Sequence, residues 1–168
     1  TRDAWGNFIY LKDIASGATW STAHQPALRR AEHYEAIFSE GRAEFRRRDT
    51  GKNVGKNKNE DFDIDTHTDI VVSPEDDIEL RRVRITNRGN TSRTIEITSY
   101  AEVVLAPAAA DALHPAFSNL FVQTEIVAAR RAILCTRRPR SSEERSPWLF
   151  HLMSLHDAEV ESLTYETD

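Results

Sequence analysis

The feature that most constrains the fold is a strict period-two alternation in two stretches of the chain. Over Ile64–Val72, isoleucine, threonine and valine side chains alternate with Asp65, His67 and Asp69. Over Arg93–Leu105, apolar or small side chains occupy the odd-numbered positions from 95 onward. Because successive side chains of a strand point to opposite faces, both runs predict strands with one face directed into a core.

Further strand-like runs, rich in β-branched and aromatic residues, are separated by turn residues. These additional predicted strands are Asn7–Leu11, His33–Ser39, Arg42–Arg47, Ile78–Thr86, Phe117–Ile126, Ala132–Arg137, Trp148–Leu155 and Val160–Tyr165. About ten short strands without a long helical stretch indicate an all-β, antiparallel sandwich or barrel. Within the best helix candidate, Ala106–Leu113, Pro107 and the following Pro115 favour a loop or a single turn.

Composition excludes several classes of protein. The 168 residues suit one domain with its own core, and the net charge of −5 argues against a nucleic-acid binder. No run approaches the ~18 apolar residues of a membrane span. The lone Cys135 excludes an internal disulfide, and its apolar surroundings indicate an inert packed thiol. With neither an initiator Met nor a signal peptide, we expect a cytoplasmic domain cut from a longer chain.

A polar tract, Asp49–Asp63, is rich in Gly, Asn and Lys and predicts a flexible insertion loop. It lacks the spacing of a phosphate-binding loop. The acidic turn at 75–79 lacks the calcium-loop pattern, and no pair of histidines has metal-ligand spacing on a helix. The sequence therefore predicts neither a metal nor a cofactor.

The arginines cluster in three places, at 46–48, 81–84 and 137–140. Each cluster lies on or beside a predicted strand with acidic neighbours, which favours cross-strand ion pairs on a solvated face. The alternative is that two clusters converge on an anionic ligand such as phosphate, because guanidinium groups match phosphate oxygens.

The segment His114–Val122 is a candidate binding segment. A loop begun by Pro115 would carry Phe117, Ser118 and Asn119 to the start of a strand. An aromatic ring beside small hydrogen-bonding groups is a usual arrangement for holding a sugar. The alternative is that Phe117 and Phe121 simply pack.

Six stretches in order resemble the cyclic β-1,2-glucan synthase branch of the cellobiose-phosphorylase-like glycoside phosphorylases (glycosyltransferase 36, glycoside hydrolase family 94). The resemblance covers nearly the whole chain, and six ordered blocks are more specific than any single motif. The stretches are WGNFIYLKD (5–13), SGATWS (16–21), VSPEDDIELRRV (72–83), TNRGNTSRTIEITSYAEVVL (86–105), HPAFSNLFVQTE (114–125) and RRPR (137–140).

The resemblance implies that residues 1–168 form a single antiparallel β-supersandwich of the galactose-mutarotase-like type, with little helix, inside a larger enzyme. In that family an (α/α) barrel carries the general acid and the phosphate site, so no catalytic residue is expected here. The loop aligned with His114–Phe121 approaches the acceptor sugar in cellobiose phosphorylases. Those relatives place an arginine there, whereas this chain has Ser118 and Asn119.

The leading hypothesis is a non-catalytic sandwich domain of a glycoside phosphorylase or glycosyltransferase, inactive alone. It would pack on the catalytic (α/α) barrel of the same polypeptide and frame the acceptor side of a β-glucan site. The expected partners are a β-glucan oligosaccharide, that barrel and a second copy in a homodimer. Nucleic acid and direct membrane contact are not expected, although the resemblance implies an inner-membrane parent with cytosolic catalytic parts.

Two alternatives remain at this point. The first is a free-standing carbohydrate-binding module that stacks sugars on aromatic residues, with Trp5, Tyr10, Trp20 and Phe117 as candidates. The second is a structural β-sandwich used in assembly. The candidate carbohydrate contacts are His114, Phe117, Ser118, Asn119 and Trp20.

Overall fold

Strands dominate the structure, as the alternating runs predict. The computed structural model describes residues 6–51, 61–139 and 141–167. It divides into two compact units, Phe8–Tyr100 and Thr1–Asn7 with Ala101–Asp168, which are described separately. The strands are β1 (Asn7–Asp13), β2 (Thr19–Ser21), β3 (His33–Ser39), β4 (Arg42–Gly51), β5 (Phe62–Val72), β6 (Glu79–Asn87), β7 (Ile95–Ala101), β8 (Val122–Val127), β9 (Ala132–Arg137) and β10 (Trp148–Leu152).

The described strands form three sheets, ordered β2-β1-β7, β3-β4-β5-β6 and β10-β9-β8. Every pair with a described register is antiparallel. The helices are α1 (Ala108–Leu113), α2 (Pro115–Asn119) and a 3-10 turn, Ala128–Arg130. None of the helices in the described ranges has the length and apolar character that crossing a bilayer requires. The all-β, antiparallel prediction with little helix is confirmed.

The core of the unit Phe8–Tyr100 lies between strands of its two sheets. Leu11 of β1 and Trp20 of β2 pack with Phe62 and Ile64 of β5, and all four are buried. The Trp20 and Phe62 rings stack nearly parallel, with centroids 5.4 Å apart. Burial of such large apolar side chains supplies the main stabilisation of this unit.

The alternation of β5 gives its sheet two different faces. Ile64, Thr66 and Thr68 are buried, whereas Asp65 and His67 on the opposite face are partly exposed. The predicted two-sided strand is therefore confirmed over this part of the run. The equivalent pattern along β7 is also confirmed, with inward and outward residues alternating over its seven positions.

A charged pair is buried on the core side of the same sheet. Arg47 donates to both carboxylate oxygens of Asp49, at 2.6 and 2.8 Å, and both side chains are almost inaccessible. The Arg47 guanidinium also donates to the carbonyl oxygens of Ala23 and Arg29, which lie between β2 and β3. The bidentate pair therefore fastens this connection to β4.

Several predicted strands differ from the structure. The strand predicted over Phe117–Ile126 begins only at Val122, because α2 occupies residues 115–119. The strand predicted over Trp148–Leu155 ends at Leu152, where pairing with β9 stops. The segment Val160–Tyr165 is not a strand, and the short β2 was not predicted. An apolar run alone does not supply the neighbouring strand that a sheet requires.

The helix and loop predictions also differ in part. Pro107 precedes α1 at its N-terminal boundary, where its missing N–H costs nothing, so a six-residue helix forms in place of a loop or single turn. Within the tract Asp49–Asp63, the first three residues complete β4 and the last two begin β5. Residues 52–60 of that predicted loop lie outside the described residues.

Replacing Trp20 tests the core directly. Trp20→Ala should lower the free energy of unfolding by about 3–5 kcal/mol, because it removes a buried ring and leaves a cavity against Phe62. Trp20→Phe, which keeps a ring, should cost less. Chemical denaturation followed by circular dichroism gives both values. Leu80→Ala, at an exposed position of β6, is the control, and equal losses for Leu80 and Trp20 would contradict the described core.

Candidate functional site

The candidate binding segment folds as two short helices. His114 follows α1 directly, and the Phe117 N–H donates to the His114 carbonyl oxygen at 3.1 Å. Pro115 begins α2, a position where its fixed φ suits a helix. The prediction that a loop delivers Phe117, Ser118 and Asn119 to the start of a strand is therefore wrong, since all three lie in α2.

This segment presents apolar side chains to solvent. Leu113 and Leu120 are 75% and 76% exposed, and Phe117 is 52% exposed. The polar candidates His114 and Asn119 are exposed beside them. The side chain of Ser118 lies outside the described residues. The structure thus brings His114, Phe117 and Asn119 together on one exposed segment.

Phe121 is held by its neighbours. The guanidinium groups of Arg137 and Arg138 lie 5.2 and 5.4 Å from its ring centroid. The edge of the Phe117 ring contacts it with centroids 5.0 Å apart, and the Arg138 N–H donates to its carbonyl oxygen at 2.9 Å. Phe121 therefore packs against cations, which anchors α2 while half of the Phe117 surface stays open.

A cavity of about 420 Å³ lies beside α1. Leu105, Pro107 and Ala110 give it an apolar wall, and Arg137 and Glu144 supply charged groups. Its size falls within the roughly 300–1,000 Å³ of small-molecule sites. This cavity and the exposed segment that follows α1 form the candidate site of the unit that contains Ala101–Asp168.

Trp20, the remaining candidate sugar contact, lies in the core. Its side chain has no exposed surface, and the Phe62 ring covers one face. A sugar needs an open aromatic face for stacking, so we leave Trp20 out of the proposed contact set. Trp5, named as a stacking candidate for a binding module, lies outside the described residues.

A second cluster of chemistry-bearing groups lies on the solvent face of the sheet β3-β4-β5-β6. His67 Nε2 lies 2.8 Å from Glu44 Oε1 and 3.8 Å from Asp69 Oδ1. The register places these residues on adjacent strands, because Glu44 pairs with Asp69. One ligand atom from each residue lies within 4.8 Å of the others, a spacing that suits a metal ion. Sequence spacing missed this trio because its members come from two strands.

Arginines surround the trio and balance its charge. Arg46 Nε donates to Glu44 Oε1 at 2.7 Å, and Arg42 contacts both Glu44 and Asp69. Arg82 donates to Asp69 Oδ2 at 2.7 Å. A dication would have to compete with these guanidinium groups for the same oxygens. The cluster is therefore a closed ion-pair network, and we propose no metal for it.

The network keeps its carboxylates ionised. The hydrogen bond from Arg46 lowers the pKa of Glu44. Hydrogen bonds from Arg82 and then Arg42 lower the pKa of Asp69 to about 2, against a burial that would raise it. The same pairing raises the pKa of Arg46. A general acid for glycosidic bond cleavage needs the opposite shift.

The predicted ion pairing of the arginine clusters is confirmed for two of them. Arg48 pairs with Asp63 across the β4–β5 ladder, and Arg82 pairs with Asp69 across β5–β6. Arg47 differs from the prediction because it is buried and not on the solvated face. In the third cluster Arg137 and Arg138 contact Phe121, and residue 140 lies outside the described residues.

The lowered pKa of Asp69 predicts a pH dependence of stability. The folded-state pKa of Asp69 lies below the ordinary value of about 3.9. Ionised Asp69 therefore contributes its full stabilisation of the folded state above that pH. It is lost as the pH falls towards 2. We expect about 1–2 kcal/mol from this group, reduced by the solvent exposure of Arg82.

Denaturant titrations of wild type, Asp69→Asn and Arg82→Gln between pH 5 and pH 2 measure this contribution. The wild-type advantage in unfolding free energy should shrink towards pH 2. Leu80→Ala, on the same strand as Arg82, removes no charge and should keep the wild-type slope. If the free energies of unfolding of wild type and Asp69→Asn change with pH in parallel, Asp69 is not the source of the pH dependence.

Comparison with known proteins agrees with this architecture. The family described as "Glycosyl hydrolase 94, supersandwich domain" matches residues 1–168. The chain is 35% identical over 166 residues to the cyclic beta-(1,2)-glucan synthase NdvB of Rhizobium meliloti (strain 1021). That alignment covers 99% of this chain and 5% of the relative. The family resemblance and the supersandwich fold are therefore confirmed, and this chain belongs to the glycosyl hydrolase 94 supersandwich domain family.

Proposed function

We propose that this chain is a non-catalytic domain of a longer β-glucan-processing glycoside phosphorylase or glycosyltransferase. In that protein it packs on a catalytic (α/α) barrel and frames the acceptor side of the glucan site with the segment α1–α2. Residues 1–168 would form one domain of the galactose-mutarotase-like type. A homodimer and a cytoplasmic location stay predictions.

The observation that carries this proposal is the family match over all 168 residues. The chain spans only 5% of the length of the curated relative that it matches. We infer that the chain is one part of a larger protein, and the name of that relative supports a β-glucan as the substrate class. The substrate is a proposal for this chain.

The properties of Glu44, Asp69 and Cys135 support a non-catalytic role. Glu44 and Asp69 have lowered pKa values because arginines pair with them, so neither is suited to protonate a glycosidic oxygen. Cys135 is buried, and burial raises the pKa of its thiol. A buried neutral thiol is a poor nucleophile.

The exposed surface of α1–α2 supports the docking part of the proposal. Leu113, Phe117 and Leu120 are each more than half exposed, and neighbouring exposed apolar side chains are typical of a surface that another part of a protein covers. His114 and Asn119 stand beside these side chains and offer hydrogen-bonding groups. In this arrangement the apolar side chains would contact the barrel, and the neighbouring polar side chains would hydrogen-bond to sugar hydroxyls. Such a combination suits the edge of a glucan site.

Substitutions in the full-length protein that carries this chain test the proposal. The double variant Leu113→Asp/Leu120→Asp should lower kcat/KM for glucan synthesis or phosphorolysis about tenfold, because it places charges in the proposed domain contact. Phe117→Ala should raise the KM for the acceptor sugar while kcat stays near wild type, since it removes a binding contact only.

Leu80→Asp is the matched control. It introduces the same charge at an exposed leucine of β6, away from α1 and α2 in sequence, and should leave kcat/KM unchanged. Circular dichroism of each variant confirms folding. Wild-type kinetics in the folded double variant would overturn the domain contact, and an unchanged acceptor KM in Phe117→Ala would overturn the framing role.

A further inference from the structure

The sheet β10-β9-β8 carries a groove outside the candidate site described above. Trp148 pairs with Thr136 across β9–β10, and Thr136 pairs with Gln123 across β8–β9. In the next row on the same face, Phe150, Leu134 and Glu125 are paired in the same way. Directly paired residues project to the same side of a sheet, about 4.8 Å apart. Two rows of three side chains therefore share one face.

Trp148 forms an open aromatic wall on this face. It is 68% exposed although it lies in a regular strand, and Phe150, two residues along β10, is 60% exposed. The Thr136 hydroxyl donates to the Pro147 carbonyl oxygen at 3.1 Å, which fixes the backbone just before Trp148. The ring is thus held on a rigid element while its surface stays available to a ligand.

The groove combines this ring with polar groups. Gln123, Glu125 and Thr136 line it together with Leu134 and Trp148. A carboxamide, a carboxylate and a hydroxyl offer both donors and acceptors, whereas the indole offers an apolar face. The groove has a volume of about 220 Å³, below the roughly 300–1,000 Å³ of sites for drug-sized ligands. It suits one monosaccharide unit.

We propose that this groove binds one glucosyl unit of a β-glucan chain. Trp148 stacks on the C–H face of the pyranose ring, and Gln123 and Glu125 hydrogen-bond to its hydroxyl groups. Phe150 lies about 6.6–6.8 Å further along β10 and extends the apolar platform towards the adjoining sugar. The choice of a β-glucan rests on the proposed function, whereas the groove itself does not.

The lining favours a sugar over a protein partner. The centres of protein interfaces are depleted in glutamate, because a carboxylate buried against a protein loses its hydration. Here Glu125 lies in the middle of β8 and is exposed, on the same sheet face as Trp148 and Phe150. A sugar hydroxyl can donate to that carboxylate and keep it solvated. The combination of an aromatic ring with hydrogen-bonding groups therefore matches a polyhydroxylated ligand.

Titration of the 168-residue chain with a linear β-1,2-linked gluco-oligosaccharide tests the site. Two-dimensional NMR should show a shift of the Trp148 indole N–H signal with millimolar sugar, while the signal of buried Trp20 stays in place. Trp148→Ala should weaken the association about tenfold, and Trp148→Phe should restore most of it. Gln123→Ala should weaken it less.

Phe38→Ala is the matched control, because it removes another exposed aromatic side chain, on β3, and should not change the affinity. Binding with unchanged affinity in Trp148→Ala, with shifts at Phe117 and Asn119, would overturn this site and leave the proposed function standing. Absence of any shift at Trp148 would also overturn it, whereas the proposed function depends on the kinetics of the full-length variants.

Discussion

The two-faced character of β5 is the constraint on which the rest of the larger sheet depends. Its inward positions hold Ile64, Thr66 and Thr68, and its outward positions hold acidic residues and His67. A shift of the register by one residue would move every charge into the core. The register of β5 with both β4 and β6 is thereby fixed. One face of the sheet is therefore buried against the core, and the other carries charged side chains.

Buried ion pairs position connecting segments that apolar packing alone does not. The Arg47–Asp49 pair holds the segment between β2 and β3 against β4. Arg93 and Asp13 form a second buried pair, in which a guanidinium nitrogen lies 3.3 Å from a carboxylate oxygen. Removing one partner of such a pair costs about 3–5 kcal/mol, because the other charge is left without compensation. These charges therefore specify how the connections run, while the packing of Trp20 on Phe62 supplies cohesion.

Local pattern was enough to predict most of the strands but not their surroundings. The bounds of β3 and β9 agree with those predicted from the sequence. The helix α2 was missed because Pro115 suggests a loop, although proline is equally suited to a helix start. Trp20 was a stacking candidate because sequence does not reveal burial, and its stacking partner Phe62 lies 42 positions away.

The candidate sites show the same limit. Phe117 and Asn119 could be singled out because they are neighbours in sequence. The row of Gln123, Thr136 and Trp148 could not, since it depends on the register of three strands. The Glu44–His67–Asp69 cluster likewise needs the β4–β5 register. The resemblance to a family was enough to predict the fold. The residue clusters on the sheet faces could be recognised only from the pairing of the strands.

In the function proposed above, this domain positions a glucan and the reaction takes place in another part of a larger protein. The most direct test is to incubate the purified 168-residue chain with β-glucan and inorganic phosphate, and to measure both glucan binding and sugar phosphate. We expect binding of the glucan without formation of any sugar phosphate. Phosphate-dependent release of sugar phosphate that persists at constant specific activity through purification would contradict it.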